Sequence, residues 1–285
     1  MRAAANLPYL SAADVERRLS TAAAADALEA ALVAGLDPEA DPPRVVLEVG
    51  DGELLVMPSV VGGHAAVKLV TVGGDPRVQG LCVLFDAVTL APSALIDGIA
   101  LTNLRTPAVS ALAVRRLANP SASRLVVFGR GPQAHAHVKA VRAERPIRHV
   151  DMIGRDGAGV DELVAAADII CCCTTARAPL FDGTLVADHA MIVAIGSHEP
   201  DARETDDALA QRATVIVESR TSALREAGDV IAAIAAHALD EDELVTLADV
   251  LHGDASARTD RPRLFKSTGM SWQDTVVAAT LAARG

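Results

Sequence analysis

The segment that most constrains the fold is SRLVVFGRGPQAHAHVKAVRAERPIRHVDMIGRD, residues 123–156. An apolar run (125–128) enters a glycine-rich turn, a helical stretch (132–143) comes next, and a second apolar run (147–153) closes the unit. Gly129-Arg130-Gly131-Pro132-Gln133-Ala134 fits G-x-G-x-x-G/A and sits where that pattern has meaning, directly after a strand and opening a helix. The glycines allow a tight turn and close backbone approach to a pyrophosphate, and Ala134 lets the helix pack near the strand. The helix N-terminus adds free N–H groups and a positive dipole end for phosphates. Gly129, Gly131, Pro132, Gln133 and Ala134 are therefore candidate cofactor contacts of a Rossmann-type unit.

The chain beyond residue 156 keeps that texture. AADIICCCTT, AMIVAIGS and ATVIVES read as apolar strands alternating with helical or loop stretches, the pattern of a doubly wound parallel sheet. Only residues 156–168 separate the second strand from ADIICCC, with room for one short crossover, VDELVAAA. A full nucleotide fold places a helix, an edge strand and another helix there. The sheet is expected to be shortened near Asp156 and the adenosine pocket to lack a wall, which predicts weaker cofactor binding.

The earlier half reads differently. Ser11 with Asp14 forms a capping-box pattern for a helix at 12–19, and the Ala-rich stretch from Thr21 predicts a second helix ending before Gly35. From Arg44 onward RVVLEVGDGELLVMPSV, AAVKLVTVGG and GLCVLFDAVTL predict an antiparallel meander, with Gly50-Asp51-Gly52 as a hairpin turn. Residues 100–118 return to helical spacing. Length agrees with two folding units, since 285 residues make one large domain or two modest ones. A hinge is placed at Asn119-Pro120-Ser121.

Composition narrows the partners. A net charge of -11 with four Phe, one Trp and one Tyr offers neither phosphate-neutralising patches nor stacking platforms, so nucleic acid is excluded as the main partner. A small-molecule substrate fits better. The N-terminal MRAAANLPYLSAADVERRLS is broken by charges where a signal peptide would be apolar, and no run approaches the roughly 18 apolar residues of a membrane helix. A cytoplasmic protein without membrane association is expected. Cys171, Cys172 and Cys173 are consecutive in a strand and alternate between its faces, so they do not converge on a metal. They read as packing residues of a reducing compartment. His135 and His137, at i and i+2 on a helix, do not face one another either.

The second strand ends Met152-Ile153-Gly154-Arg155. An acidic residue there would take the ribose hydroxyls of NAD, whereas an arginine suits the 2'-phosphate of NADP. Arg155 is the candidate contact and NADP the preferred cofactor, with NAD the alternative; Asp151 and Asp156 lie close enough to blur the register.

Several segments together resemble the ornithine cyclodeaminase/mu-crystallin family across nearly the whole chain: AAVKLVT, ALIDGIALTNLRTPAVSALA, FGRGPQAHAH, AIGSHEPDARETDD, EAGDV and LFKSTGMSWQDTVVAA. The P-D-x-R-E-x-D-D stretch is most similar to the mu-crystallin branch, whose members reduce cyclic ketimines with NADPH. The resemblance implies a homodimer built through an α+β meander domain (1–118 with 262–285), a Rossmann domain (119–261) and a substrate site between them. It places Arg44 and Arg105 on the substrate-carboxylate clamp, Lys68 on the catalytic lysine, and Thr106 with Ser267 and Gly269 near the cofactor. It implies an NAD(P)H-dependent reductase of pyrroline-2-carboxylate or piperideine-2-carboxylate type. An amino-acid dehydrogenase, a cyclodeaminase-like ammonia-lyase and a nucleotide-binding protein without turnover are the alternatives.

Two departures matter. Where ornithine cyclodeaminases carry a glutamate before the M-P pair and an aspartate after the I-G pair, this chain has Leu55 and His198. Loss of both carboxylates speaks against a cationic substrate side chain. His198, with an unperturbed pKa of about 6.5, is a candidate acid-base group.

Overall fold

In the computed structural model, which describes residues 7–155, 157–255 and 258–284, the chain divides into two units, Met1–Val109 with Met270–Gly285 and Ser110–Gly269.

Local signals build the first unit. β1 (Tyr9–Leu10) leads into α1 (Ala12–Arg18), whose capping box is formed as expected: Ser11 accepts from Asp14 N, and the Asp14 carboxylate accepts from Ser11 N at 2.9 Å. Ser20 caps α2 (Thr21–Val33), and Gly35, at φ +93°, turns the chain after it. The meander comprises β2 (Val45–Val49), β3 (Gly52–Val61), β4 (His64–Val72), β5 (Val78–Asp86) and β6 (Pro92–Asp97), then α3 (Gly98–Leu117). Gly50, at φ +59°, lets β2 reverse into β3. The sheet order is β1-β6-β5-β4-β3-β2, antiparallel except for the β1–β6 pair.

Alternation along the strands sorts the side chains. Leu55, Met57, Ser59, Ala66, Lys68, Val70, Cys82 and Leu84 are buried on one face, against which the C-terminal helix (Ser271–Ala282) packs. Val60, Leu69 and Leu81 point the other way and stay exposed, and Val45, Val46, Leu47 and Val49 of the edge strand β2 are exposed on both of its faces.

The second unit contains β7 (Arg124–Phe128), α4 (Pro132–Glu144), β8 (His149–Ile153), α5 (Val160–Ala165), β9 (Ile169–Cys172), β10 (Met191–Ala194), α6 (Asp207–Arg212), β11 (Thr214–Val217), α7 (Arg220–Glu226), α8 (Gly228–Ala235), β12 (Val245–Thr246), α9 (Leu247–His252) and β13 (Arg263–Lys266). Its strands form a wholly parallel sheet of order β12-β11-β13-β10-β9-β7-β8. β9, β10 and β13 are buried along their whole length, and in β9 and β10 this is why the sequence reads as an unbroken apolar run.

Among the described residues β8 ends the sheet and α5 is the one helix between it and β9, so the order lacks the strand that would normally lie outside β8. Asp156, near which the shortening is expected, lies outside the described residues.

The expected boundaries need correction at both ends. β13 lies between β10 and β11 in the second sheet, so the chain leaves that unit after Gly269 and not at 262. Leu264 and Phe265 are buried there, and the central slot pairs them on both sides. The other boundary falls within α3, after Val109, and residues 119–121 form a turn that succeeds the helix. No helix among the described residues is long and apolar enough to cross a membrane.

Candidate active site

Lys68 sits mid-strand on the buried face of β4, with Met57 of β3 and Cys82 of β5 as its cross-strand partners. It is 2% exposed, so its charge must be met inside the protein. Asp274 meets it: Oδ2 lies 2.8 Å from Lys68 Nζ, while Oδ1 accepts from Arg105 Nε at 3.1 Å. Arg105 also donates to Gln273 Oε1 at 3.4 Å, and Lys68 Nζ donates to Thr102 Oγ1 at 3.5 Å.

The electrostatics arise from this packing. Burial, then the Arg105 charge, bring the Lys68 pKa down to about 8; Asp274 opposes the shift and Arg44 adds to it. Arg44, half-buried just before β2, is thus close enough for its charge to be felt at Lys68.

Asp274 is held in place by its helix. Met270 at the N-cap offers no side-chain bond, but Asp41 Oδ2 accepts Trp272 N at 2.9 Å while its Oδ1 accepts Ser59 Oγ at 2.6 Å. A loop aspartate therefore caps the helix that carries the counter-ion. Lys68 and Arg105 share the one Asp274 carboxylate, and the Arg44 charge is felt at Lys68. Arginine offers the fork geometry for binding a ligand carboxylate. Leu55, Met57 and Val70 form a small apolar cluster on the same sheet face.

In the second unit, a cleft of about 570 Å³ is lined by Gly129 and Arg130 of the turn after β7, Gly154 and Arg155 after β8, and Cys173, Thr174, Thr175 and Ala176 after β9. Gly129 is at φ +113°, and a Cβ there would lie 2.5 Å from the Cys173 carbonyl oxygen, so no other residue fits. Gly131 differs: it is the N-cap of α4, and a Cβ on it would meet no protein atom within 4 Å. The space a side chain would fill is open at a helix N-terminus, which suits a phosphate. The residues present thus fit a dinucleotide.

Pro132 occupies the first turn of α4, and Ala134 is fully buried beneath it. The Gln133 carbonyl accepts His137 Nδ1 at 2.8 Å, which fixes the neutral His137 tautomer so that Nε2 accepts from Ser110 Oγ at 2.9 Å. Burial pushes the His137 pKa down to about 4, so this histidine is a packed structural group, in keeping with its spacing.

The remaining candidates fall elsewhere. Thr106 is buried on α3. Ser267 Oγ donates to Glu218 Oε1 at 2.9 Å, and Thr268 N and Gly269 N both donate to Glu218 Oε2 at 3.0 Å. This turn is shaped by a buried carboxylate at the end of β11. His198 is half-buried on the loop after β10, in the unit that does not contain Lys68.

The model of the ornithine cyclodeaminase/mu-crystallin family matches residues 8–163 and 157–284. The chain belongs to the ornithine cyclodeaminase/mu-crystallin family. It is 37% identical over 228 residues to a Delta(1)-pyrroline-2-carboxylate reductase of Colwellia psychrerythraea, covering 71% of this chain and 72% of that one. It is 33% identical to the ketimine reductase mu-crystallin of Mus musculus, covering 95% of each chain. Among solved structures, the Thermococcus litoralis Delta(1)-pyrroline-2-carboxylate reductase in complex with NADH and L-proline superposes with a TM-score of 0.89 at 26% identity, covering 98% of this chain and 97% of that one.

Three residues of this family member escape a reading of the sequence. Asp274 looks like a solvated acid in the first turn of a helix. Arg130 is a variable position inside the glycine motif, yet it lines the cleft, and the absent Gly154 Cβ leaves room for its guanidinium. Glu204 reads with Asp206 and Asp207 as the acidic start of a helix. Asp206 does N-cap α6 through Leu209 N, but Glu204 is wholly buried.

Proposed function

We propose that this chain is an NAD(P)H-dependent reductase of cyclic ketimine carboxylic acids, of the pyrroline-2-carboxylate or piperideine-2-carboxylate type. The observation that carries this reading is the buried Lys68–Asp274–Arg105 cluster with Arg44 at its margin. Arg44 and Arg105 bind the substrate carboxylate, which fixes the ring. Lys68 holds a proton at Nζ and delivers it to the imine nitrogen, the role its lowered proton affinity suits near neutral pH. The nicotinamide supplies a hydride to the C=N carbon when bound, so the product carries one new C–H and one new N–H bond. Gly129, Gly131, Pro132, Gln133 and Ala134 would hold the pyrophosphate. Thr106, Ser267 and Gly269 are assigned to the cofactor's surroundings, and His198 to a substrate contact.

NADP is the preferred cofactor in this reading. Arg130 and Arg155 both line the cleft, no carboxylate does so among the described residues, and Asp151 is not part of its wall. The missing outer strand beside β8 leaves the adenosine end less enclosed, which favours modest affinity. A cationic substrate such as ornithine is disfavoured because Leu55 stands within an apolar cluster. The exposed apolar face of the first sheet supports a homodimer, and four free cysteines fit a cytoplasmic location.

The test is oxidation of NADPH and NADH over a panel of cyclic imine acids and of keto acids with ammonia, with Lys68→Ala and Arg105→Ala alongside. Turnover of an imine acid that both substitutions abolish is expected. Absence of turnover with every substrate, or variants as active as the parent, would overturn the reading.

A further inference from the structure

Glu204 has no exposed surface, yet both of its carboxylate oxygens are used by loops at the C-terminal end of the parallel sheet. Its Oε1 accepts Thr174 N at 2.8 Å and Thr174 Oγ1 at 2.7 Å, from the loop after β9. Its Oε2 accepts Gly196 N at 2.7 Å, from the loop after β10. Gly196 is dictated by this contact, because a Cβ there would collide with the Glu204 carboxylate and the Thr174 carbonyl.

The carboxylate is itself anchored. Asp229 Oδ1 accepts Glu204 N and Thr205 N, each at 2.8 Å, and Asp229 Oδ2 pairs with Lys266 Nζ at 2.8 Å. Lys266, at the end of β13, donates from the same nitrogen to the Ser197 carbonyl at 2.9 Å. The loops after β9 and β10 are thereby closed into one hydrogen-bonded circuit through two buried carboxylates and one buried ammonium.

Thr174 is also a wall of the cleft that Gly129, Arg130, Gly154 and Arg155 line. Ligands of open parallel sheets bind outside the C-terminal strand ends, so these loops face the ligand side. Apolar residues of similar volume would pack such a core at no greater cost than three buried charges. What the charges add is a fixed conformation for two loops that lie beyond the hydrogen-bonded ladder of the sheet.

We propose that Glu204 is a positioning residue for the cofactor, holding Thr174 and the loop after it in the shape that receives the dinucleotide. The proposal rests on the reading of the cleft as a nicotinamide-nucleotide site. It is tested by titrating NADPH, and separately NADH, into the full-length chain and following cofactor fluorescence, with the parent, Glu204→Gln, Thr174→Val and Thr174→Ser, each checked by thermal melting. Glu204→Gln is expected to weaken cofactor binding about tenfold, since an amide must turn an N–H toward a backbone donor. Thr174→Val is expected to weaken it a few-fold and Thr174→Ser to restore it. In steady state the cofactor KM should rise while the imine-acid KM stays near the parent value, a split that general loosening of the fold would not produce.

A folded Glu204→Gln variant with parental affinity overturns the proposal while leaving the cofactor reading intact. If that variant does not fold, the Thr174 pair decides: Val and Ser variants that bind alike overturn the proposal, and a Val loss rescued by Ser supports it. A parent chain that binds neither NADPH nor NADH overturns both the cofactor reading and the proposal.

Discussion

Lys68 carries a pH dependence that can be written from its surroundings. With its pKa brought down to about 8, it is an ammonium below that value and loses its proton above it. If it delivers the proton, imine reduction should run at a plateau at lower pH and fall about tenfold per unit above pH 8. Asp274→Asn removes the carboxylate that favours the ammonium, so the alkaline limb should move to lower pH; a rate profile with an unmoved limb would refute the pairing. The sign for stability is opposite to that of a usual salt-bridged lysine. Between about 8 and the unfolded value of about 10.5, the unfolded chain binds more protons, so this group's contribution to stability rises with pH through that window. Arg44, Lys68 and Arg105 were legible through the resemblance of their segments to the family. Asp274 was not, because nothing local distinguishes a buried acid from a solvated one. Its contact with Arg105 spans 169 residues of sequence.

Among elements, the C-terminal helix depends on a cap that comes from far along the chain. Asp41→Ala leaves Trp272 N without its acceptor and should cost about 1 kcal/mol of unfolding free energy by urea titration. It should also lower substrate affinity, since the same helix presents Asp274. A substitution confined to the turn after β7 acts on the other unit. Gly129→Ala forces a side chain onto the Cys173 carbonyl at a left-handed φ, and cofactor binding should be lost while Lys68 and its partners are untouched. The glycine turn was readable because its signal is local: two glycines, a strand before and a helix after. β13 escapes such a reading for the converse reason. Arg263-Leu264-Phe265-Lys266 has charged ends and too few residues to show a period, and its place is set by pairing with β10 and β11. Arg263 and Lys266 are nonetheless buried, the first donating to the His189 carbonyl and the second pairing with Asp229.

For the whole molecule, the outer face of the first sheet is the feature with the plainest consequence. Leu69, Leu81 and Val60 are 36%, 43% and 70% exposed on one side of a sheet whose other side is packed. A continuous apolar face of this kind is a mark of association. In the proposed homodimer, Leu69→Glu with Leu81→Lys should give a folded monomer by analytical ultracentrifugation, whereas an unchanged sedimentation coefficient would exclude this face as the contact.

The position of β13 also bears on how the chain is made. During synthesis its middle strand emerges after both of the strands it joins, so the parallel sheet first exists as two separate sets, β8-β7-β9-β10 and β11-β12. Until Lys266 leaves the ribosome, β10 and β11 present open edges of buried-type residues, the kind of surface that chaperones cover and that aggregates form from. A premature stop between His252 and Arg263 would therefore yield an insoluble chain, although every residue of the glycine turn would already be present.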